Sequence, residues 1–336
     1  MNLFGKDLER DVVVVAEIGI NHEGDVQAAE RLVDLAAESG VDAVKLQTYT
    51  PERYASASDP ERLARVGRFS LDLAAHRQLA AHARERRIPL FSTALTEDVV
   101  PFLAEWCPAI KIASGDLNFE PVIRAACATG KPLILSTGNG TIEEIDQALV
   151  WCRDMVGEGV LPDRLVLMHC VSAYPTPIEQ ANVQSVPFLK QRYGLTVGYS
   201  NHVYETEAVL AAVALGAQVV EVHMTDKRSG REFRDHALSV EPAELAALVC
   251  SVRRVKDSLG RPGKAVQECE RPLREIMRKG VVAARNLDAG TVLAQDDLMF
   301  ARPAVHIPAS EMPRLLGRTL VRAVRRGESI LREDLR

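Results

Sequence analysis

Eight short hydrophobic segments, rich in β-branched residues, recur along most of the chain, with longer helical patterns between them. Several are almost continuously apolar, as strands buried on both faces are. Eight such β–α units within about 250 residues predict a closed (β/α)8 (TIM) barrel. The candidate strands are Val12–Ile18, Ala43–Gln47, Ile88–Ser92, Ile110–Ala113, Leu133–Ser136, Leu165–His169, Leu195–Tyr199 and Val219–His223.

The segments between these strands carry helical signals. An open, doubly wound sheet is the alternative, and it usually has a GxGxxG turn after its first strand. The first turn here reads GINHEG and lacks that spacing, which favours the barrel. Thr141 with Glu144 predicts a capping box. The predicted helices include Ala28–Glu38, Ala74–Arg86, Ile142–Trp151, Glu205–Leu215 and Pro242–Leu259.

The chain changes character after the eighth helix. The stretch GRPGKAVQECERPLRE is polar and contains proline and glycine, as linkers do. We therefore assign residues 1–259 to the barrel, 260–276 to a linker and 277–336 to a small, mostly β domain. Within that domain, NLDAGTVLAQDDL and AVRRGESILREDL resemble each other, which indicates a two-copy repeat.

Composition narrows the classes of protein to consider. The formal net charge is −5, so neither nucleic acid nor an anionic membrane is indicated as a partner. The six cysteines form no CxxC pair, which is typical of structural thiols in a reducing compartment. The N-terminal apolar run is too short for a signal peptide, and no segment is long enough to span a membrane. We expect a cytoplasmic protein.

Two lysines lie inside predicted strands. Lys45 belongs to AVKLQT and Lys111 to AIKIAS, where burying an unpaired ammonium would cost several kcal/mol. The active site of a (β/α)8 barrel lies at the C-terminal ends of its strands. With the Ser and Thr residues at those ends, these lysines predict a phosphate-binding site.

Two histidines end consecutive strands. His202 and His223 are therefore expected side by side, with Glu221 near them. Neutral imidazoles suit a divalent metal, and two nitrogens leave coordination positions open for substrate and water. Three other histidines lack such a context and are predicted to be surface residues: His76, His82 and His306.

Together these segments resemble the sialic acid synthase (N-acetylneuraminate or nonulosonate synthase) family. That family makes nine-carbon 2-keto acids, the nonulosonates, from phosphoenolpyruvate and a six-carbon sugar. GRPGKAV through LREDLR resembles its linker and C-terminal antifreeze-like (SAF) domain. The resemblance covers nearly the whole chain. The barrel motifs are AEIGINHEGD, VKLQT, FSTALT, KIASGDLN, KPLILSTG, LMHCVSAYPTP, GYSNH and EVHMTD.

The resemblance implies a mechanism. A divalent metal, usually manganese with magnesium or cobalt as alternatives, is held by His202 and His223 and polarises the open-chain aldehyde of the sugar. Carbon 3 of phosphoenolpyruvate attacks that aldehyde, water adds at carbon 2, and phosphate leaves by C–O cleavage. A homodimer with exchanged C-terminal domains is also implied, in which Arg302 reaches the sugar bound by the partner.

The resemblance assigns further residues to the two substrates. The phosphoenolpyruvate site matches Lys45, Thr93, Lys111, Ser114, Ser136 and Ser200, with Ser172 as a further phosphate contact. The sugar-binding and acid–base carboxylates match Glu17, Asp116, Glu221 and Asp235, and Gln47 and Tyr174 are polar contacts.

The sequence departs from the family at four places. Ser172 stands where members with HCTN-like loops have Asn, and Asp116 where some have Glu. Asn201 replaces the Asp of an SDH pattern, which is expected to alter the support of His202. The segment Pro51–Leu73 is shorter than the loop with which the family binds the N-acyl group of the sugar. The acceptor sugar, the product, the physiological metal and the pathway therefore stay open.

Three functions follow from these observations. The first is a nonulosonate synthase acting on an N-acylated hexosamine or a related aldose. The second is another phosphoenolpyruvate-condensing or aldolase-type metal-dependent barrel with a different aldehyde. The third is a non-catalytic carbohydrate-binding or coat protein, against which the intact lysines and histidines argue.

Overall fold

All eight predicted strands are present, and they close into a parallel barrel in which the last strand pairs with the first. This computed structural model describes residues 1–336. The predicted (β/α)8 barrel is confirmed, with strand ends within about two residues of the prediction. The strands are β1 (Val13–Gly19), β2 (Ala43–Thr48), β3 (Leu90–Ala94), β4 (Ile110–Ile112), β5 (Leu133–Ser136), β6 (Leu165–His169), β7 (Thr196–Asn201) and β8 (Val219–His223).

Helices surround this barrel and cover the outer faces of its strands. Every residue of β1 is buried, because the strand faces the barrel interior on one side and helices on the other. No helix combines the length and the apolar character that crossing a membrane requires. The helices are α1 (Val26–Glu38), α2 (Pro51–Tyr54), α3 (Pro60–Phe69), α4 (Leu73–Glu85), α5 (Val100–Trp106), α6 (Glu120–Ala128), α7 (Ile142–Val156), α8 (Ser185–Tyr193), α9 (Glu207–Ala214), α10 (Arg234–Leu238) and α11 (Pro242–Leu259).

The chain divides into two compact units, Met1–Gly260 and Arg261–Arg336. The second unit contains the stretch predicted as a linker, in which a 3-10 turn (Glu268–Leu273) leads into α12 (Arg274–Met277). An antiparallel pair follows, β9 (Gly280–Ala283) and β10 (Leu298–Ala301).

The two-copy repeat of the second unit is visible as a repeated ion pair. Arg285 Nε donates to Asp297 Oδ1 at 2.8 Å in the first copy, and Arg322 Nε donates to Asp334 Oδ1 at 2.6 Å in the second. In both copies the other carboxylate oxygen accepts a backbone N–H three residues earlier. Both aspartates are buried, so each pairing satisfies a charge that burial would otherwise penalise.

The prediction that His76 lies at the surface is wrong. His76 is 1% exposed; its Nε2 accepts a hydrogen bond from Thr48 Oγ1 at 2.9 Å and its Nδ1 donates to the Asp72 carbonyl at 2.8 Å. The sequence shows no strand-end context for His76, but its side chain faces Thr48 of β2. His82 is half-buried against Asp34, with 2.6 Å between His82 Nε2 and Asp34 Oδ1, whereas His306 is exposed as predicted.

His22 predicts a pH dependence of stability. It is 2% exposed, its Nδ1 accepts from Gly24 N, and burial lowers its pKa from 6.5 to about 4. Because the folded pKa lies below the unfolded one, this stability is present above pH 6.5 and is lost as pH falls toward 4. Between pH 7 and pH 5, His22 should account for a loss of about 1–2 kcal/mol in the free energy of unfolding.

Urea denaturation at the two pH values measures this loss. His22→Gln should shrink the difference, whereas the matched change at the exposed His306, His306→Gln, should leave it as in the unmodified protein. A His22→Gln protein with the full pH dependence would contradict the assignment.

Candidate active site

A cavity of about 1150 Å³ lies at the C-terminal ends of the barrel strands. Its volume is above the usual range for a single small-molecule site, which leaves room for two substrates. Arg302 belongs to the second compact unit, where it is exposed. All the other residues that the resemblance assigned to substrates or metal line the cavity: Glu17, Lys45, Gln47, Thr93, Lys111, Ser114, Asp116, Ser136, Ser172, Tyr174, Ser200, His202, Glu221, His223 and Asp235.

Two lysines and two glutamates form a buried ion network among the residues that line the cavity. Lys45 Nζ lies 3.0 Å from Glu17 Oε2 and 3.5 Å from Glu221 Oε1, and it donates to Thr93 Oγ1 at 2.8 Å. Lys111 Nζ donates to Glu221 Oε2 at 3.2 Å. None of these four charged residues is more than 5% exposed. Each buried charge therefore depends on the others.

The pKa values of the four network residues do not all shift in the same way. Burial alone would lower the pKa of Lys45, but the carboxylates of Glu17 and Glu221 outweigh it and raise that pKa. Burial would likewise raise the pKa of Glu221, yet Lys111 and Lys45 hold it well below its usual range. Lys45 and Glu221 are thus firmly charged.

At Glu17 and Lys111, the effect of burial on the pKa outweighs that of the neighbouring opposite charges. It raises the pKa of Glu17, which also lies near Glu221, and it lowers the pKa of Lys111. Both shifts move the group toward its neutral form. Glu17 and Lys111 are therefore the members best suited to exchange a proton with a substrate.

Neighbouring side chains orient the two carboxylates. Gln47 Nε2 donates to Glu17 Oε1 at 2.9 Å, and Ser200 Oγ donates to Glu221 Oε1 at 3.0 Å. Glu17 Oε2 is buried and receives no aligned hydrogen bond, although Lys45 Nζ is close. This oxygen can still accept a hydrogen bond from a bound molecule.

His202 and His223 lie side by side, with 5.5 Å between their ring centroids. His202 Nδ1 donates to the Val171 carbonyl at 2.6 Å, which leaves Nε2 with its lone pair. Burial and the nearby His223 lower the pKa of His202 to about 3, so the ring is neutral at ordinary pH. Asn201 does not support His202; its amide joins the Tyr199 hydroxyl and the Val203 carbonyl.

This pair is the candidate metal site. No cluster of three or more His, Cys, Asp or Glu side chains is arranged to hold a metal ion. A neutral imidazole with a fixed tautomer fits the predicted site, in which two histidines hold the metal and other ligands come from water or substrate. The ring of Tyr174 lies 4.2 Å from that of His202 and 6.1 Å from that of His223, so it covers the pair.

Small side chains crowd around Gly138 at another part of the cavity. A Cβ there would lie 2.5 Å from Ser172 Oγ and 2.9 Å from Ser114 Oγ, and Gly138 N donates to Ser114 Oγ at 3.1 Å. Ser136, at the end of β5, also lines the cavity. These hydroxyls are the neutral donors that an anionic group would need beside the lysines.

Charged residues in the loops complete the lining. Burial raises the pKa of Asp116 to about 6, and Asp235 lies 3.2 Å from Arg234 Nε. Reasoning from the sequence missed one group, Arg62, Arg65 and Arg68. These arginines recur every three residues, a helical signal, in the segment Pro51–Leu73, for which the resemblance implies a loop.

Comparisons with known proteins show which family the chain is similar to. The profile of the NeuB family matches residues 32–264, and that of the SAF domain matches residues 278–336. The chain is 33% identical to the N,N'-diacetyllegionaminic acid synthase of Campylobacter jejuni, covering 96% of this chain and 99% of that one. It is 31% identical to the human N-acetylneuraminate-9-phosphate synthase, covering 95% and 91% of the two chains.

A solved structure shows the same likeness. The N-acetylneuraminic acid (sialic acid) synthetase of Leptospira borgpetersenii, in complex with citrate, superposes with a TM-score of 0.73 at 31% identity. The match covers 78% of this chain and 90% of that one.

The buried ion network predicts a large effect of removing one charge. Glu221→Gln should destabilise the barrel by about 3–5 kcal/mol, because it leaves Lys111 without its carboxylate and Lys45 with only one. Glu232→Gln, at an exposed carboxylate that also lines the cavity, is the matched control and should cost little. Urea denaturation of both variants tests this, and equal stabilities would contradict the network's role.

Proposed function

The chain belongs to the NeuB family, and on that premise we propose that it is a nonulosonate synthase. It condenses phosphoenolpyruvate with an N-acylated hexosamine or related aldose to give a nine-carbon 2-keto acid and phosphate. The observation that carries this proposal is one cavity that combines the buried ion network, the two histidines and the serine hydroxyls. Their chemistry matches an anionic substrate beside a carbonyl that must be polarised.

The phosphoenolpyruvate site is proposed at the lysines and hydroxyls. Lys45 and Lys111 supply positive charge. Neutral donors for the phosphate and carboxylate oxygens come from Ser114, Ser136 and Ser172. Thr93 orients Lys45, and Ser200 orients Glu221. An entering anion competes with Glu17 and Glu221 for the two ammonium groups. This competition shifts the proton affinity of Glu17, the carboxylate whose pKa burial already raises.

The bond changes assign roles to the carboxylates. Carbon 3 of phosphoenolpyruvate bonds to the aldehyde carbon, water adds at carbon 2, and the C–O bond to phosphate breaks. We assign Glu17 as the group that takes the proton from water, because burial makes it more basic than an ordinary carboxylate. Asp116, Asp235 and Gln47 bind hydroxyl groups of the sugar in this proposal, and Glu221 holds both lysines in place.

A divalent metal, proposed to be manganese with magnesium or cobalt as alternatives, polarises the aldehyde when bound. His202 and His223 would hold it, and the hydrogen bond from His202 Nδ1 to the Val171 carbonyl leaves Nε2 free for that purpose. Tyr174 packs over both rings and limits the access of water.

Assembly and compartment complete the proposal. We propose a homodimer in which the SAF domain, with Arg302, serves the partner's site; the family resemblance and the exposure of Arg302 support this. The cytoplasm is the proposed compartment, supported by cysteines that are spaced without a CxxC pair.

The direct test is a screen of aldoses with phosphoenolpyruvate, read by phosphate release and product mass. A nonulosonate synthase releases one phosphate for each nine-carbon keto acid formed. Condensation with pyruvate, without phosphate release, would instead identify an aldolase. If the purified protein, assayed with added metal, forms no product from any aldose, a non-catalytic barrel is supported.

Metal dependence is expected to rest on the histidine pair. His202→Ala and His223→Ala should each lower the manganese bound at equilibrium by tenfold or more, since each removes one of two protein ligands. Metal content after dialysis, measured by mass spectrometry, is the readout. His306→Ala is the control, and unchanged metal content in both site variants would contradict the assignment.

Domain exchange predicts complementation between inactive variants. Arg302→Ala and Lys45→Ala should each lose most activity, because each removes a charged contact to a substrate. After subunit exchange, some mixed dimers contain one site with both residues intact, so activity should return. Activity that stays at the level of the separate variants, or a fully active monomer in sedimentation, would overturn the exchange.

A further inference from the structure

Three arginines line the cavity from one helix. Arg62, Arg65 and Arg68 recur every three residues of α3 and therefore share one side of it. None of them has a carboxylate within ion-pair distance, in contrast to two other arginines of the lining. Arg53 lies 2.5 Å from Glu97, and Arg234 lies 3.2 Å from Asp235. The α3 arginines are thus free to bind a ligand.

The helix that carries them is fixed in place. Val66 and Phe69 are buried, Tyr49 donates to the Val66 carbonyl at 3.1 Å, and the Phe69 ring packs edge-on against Phe233 at 5.1 Å. Gly24 has φ +87°, and a Cβ there would lie 2.2 Å from the Arg68 carbonyl oxygen. The end of α3 therefore rests on the loop after β1, and this contact excludes a side chain.

Two of the guanidinium groups lie over aromatic rings. Arg62 lies 5.4 Å from the centroid of Tyr54, and Arg68 lies 4.7 Å from that of Phe69. Such stacking limits the motion of long side chains and leaves their N–H groups available. Arg65, between them, has no aromatic ring beneath it.

The acidic residues nearby do not cancel this charge. Asp59 Oδ1 accepts from Arg62 N as the N-cap of α3. Glu23 is already shared between Arg231 and His236, at 3.7 and 3.1 Å. Glu232, and Asp116 in the turn after β4, also line the cavity and have no basic partner within ion-pair distance. A surplus of positive charge therefore faces this part of the cavity, which is formed by different elements from those of the buried ion network.

We infer that the acceptor sugar carries a phosphate monoester remote from its aldehyde, and that Arg62, Arg65 and Arg68 bind this group. The inference rests on the proposed function and names the substrate class of the same site. A phosphate carries nearly two charges and three acceptor oxygens, which several guanidinium groups match better than a neutral hydroxymethyl group. Relatives are named for products with and without phosphate, so family membership leaves the choice open.

Acceptor preference tests the inference. We compare kcat/KM for an N-acylated hexosamine, its 6-phosphate and the corresponding uronic acid, at fixed saturating phosphoenolpyruvate. The 6-phosphate should exceed both others by about a hundredfold, and high salt should narrow the gap. A wild-type preference for the free sugar or for the uronic acid would overturn the inference and leave the condensation itself standing.

Substitutions on α3 test whether its arginines cause the preference for the phosphorylated sugar. Arg65→Ala/Arg68→Ala should lower kcat/KM for the 6-phosphate by about tenfold or more, and leave KM for phosphoenolpyruvate and the use of free sugar within about twofold. Arg77→Ala, an exposed arginine on α4 that does not line the cavity, is the matched control. Equal losses with phosphorylated and free sugar would contradict binding of the phosphate.

Calorimetry separates this inference from the proposed function. If no acceptor condenses, the proposed function fails, but binding of the hexosamine 6-phosphate alone can still be measured. Binding that weakens about tenfold in the double variant, and not in Arg77→Ala, supports the arginine site. Absent binding, or binding that the double variant leaves unchanged, overturns it.

Discussion

Four charges are buried together at the centre of this barrel, and much of the rest of the site is arranged around them. Burying an isolated ammonium or carboxylate would cost several kcal/mol, so the fold must bring the four side chains within ion-pair distance of one another. They are Glu17, Lys45, Lys111 and Glu221. They come from β1, β2, β4 and β8, and in the sheet register Glu17 pairs directly with Lys45. Closure of the barrel, which pairs β8 with β1, is what brings Glu221 within reach of both lysines.

That arrangement also combines two residues with fixed charges and two residues that can exchange a proton more easily. The members that are firmly charged, Lys45 and Glu221, fix the geometry, whereas burial shifts Glu17 and Lys111 toward neutrality. The charge of an anion bound at the lysines would shift this balance further. The histidine pair lines the same cavity from the ends of β7 and β8, so the proposed metal site and the proposed anion site share one cavity.

The sequence predicted the strands and the cavity lining well because strand ends of a parallel barrel converge whatever the helices do. No bounds were predicted for short helices such as α5 and α6, since seven to nine residues carry little periodicity. His76 was misplaced because its burial depends on Thr48 in a strand distant in sequence. The arginines of α3 were missed for a similar reason, because only the fold shows that this helix borders the cavity.

The central claim is that this network and cavity join phosphoenolpyruvate to an aldehyde with loss of phosphate at the C–O bond. The most direct measurement uses phosphoenolpyruvate labelled with ¹⁸O at the oxygen that bridges carbon 2 and phosphorus. The account predicts that the label appears in the released phosphate, and that the 2-keto oxygen of the product comes from water. Label retained in the keto acid would mean P–O cleavage and would contradict the account.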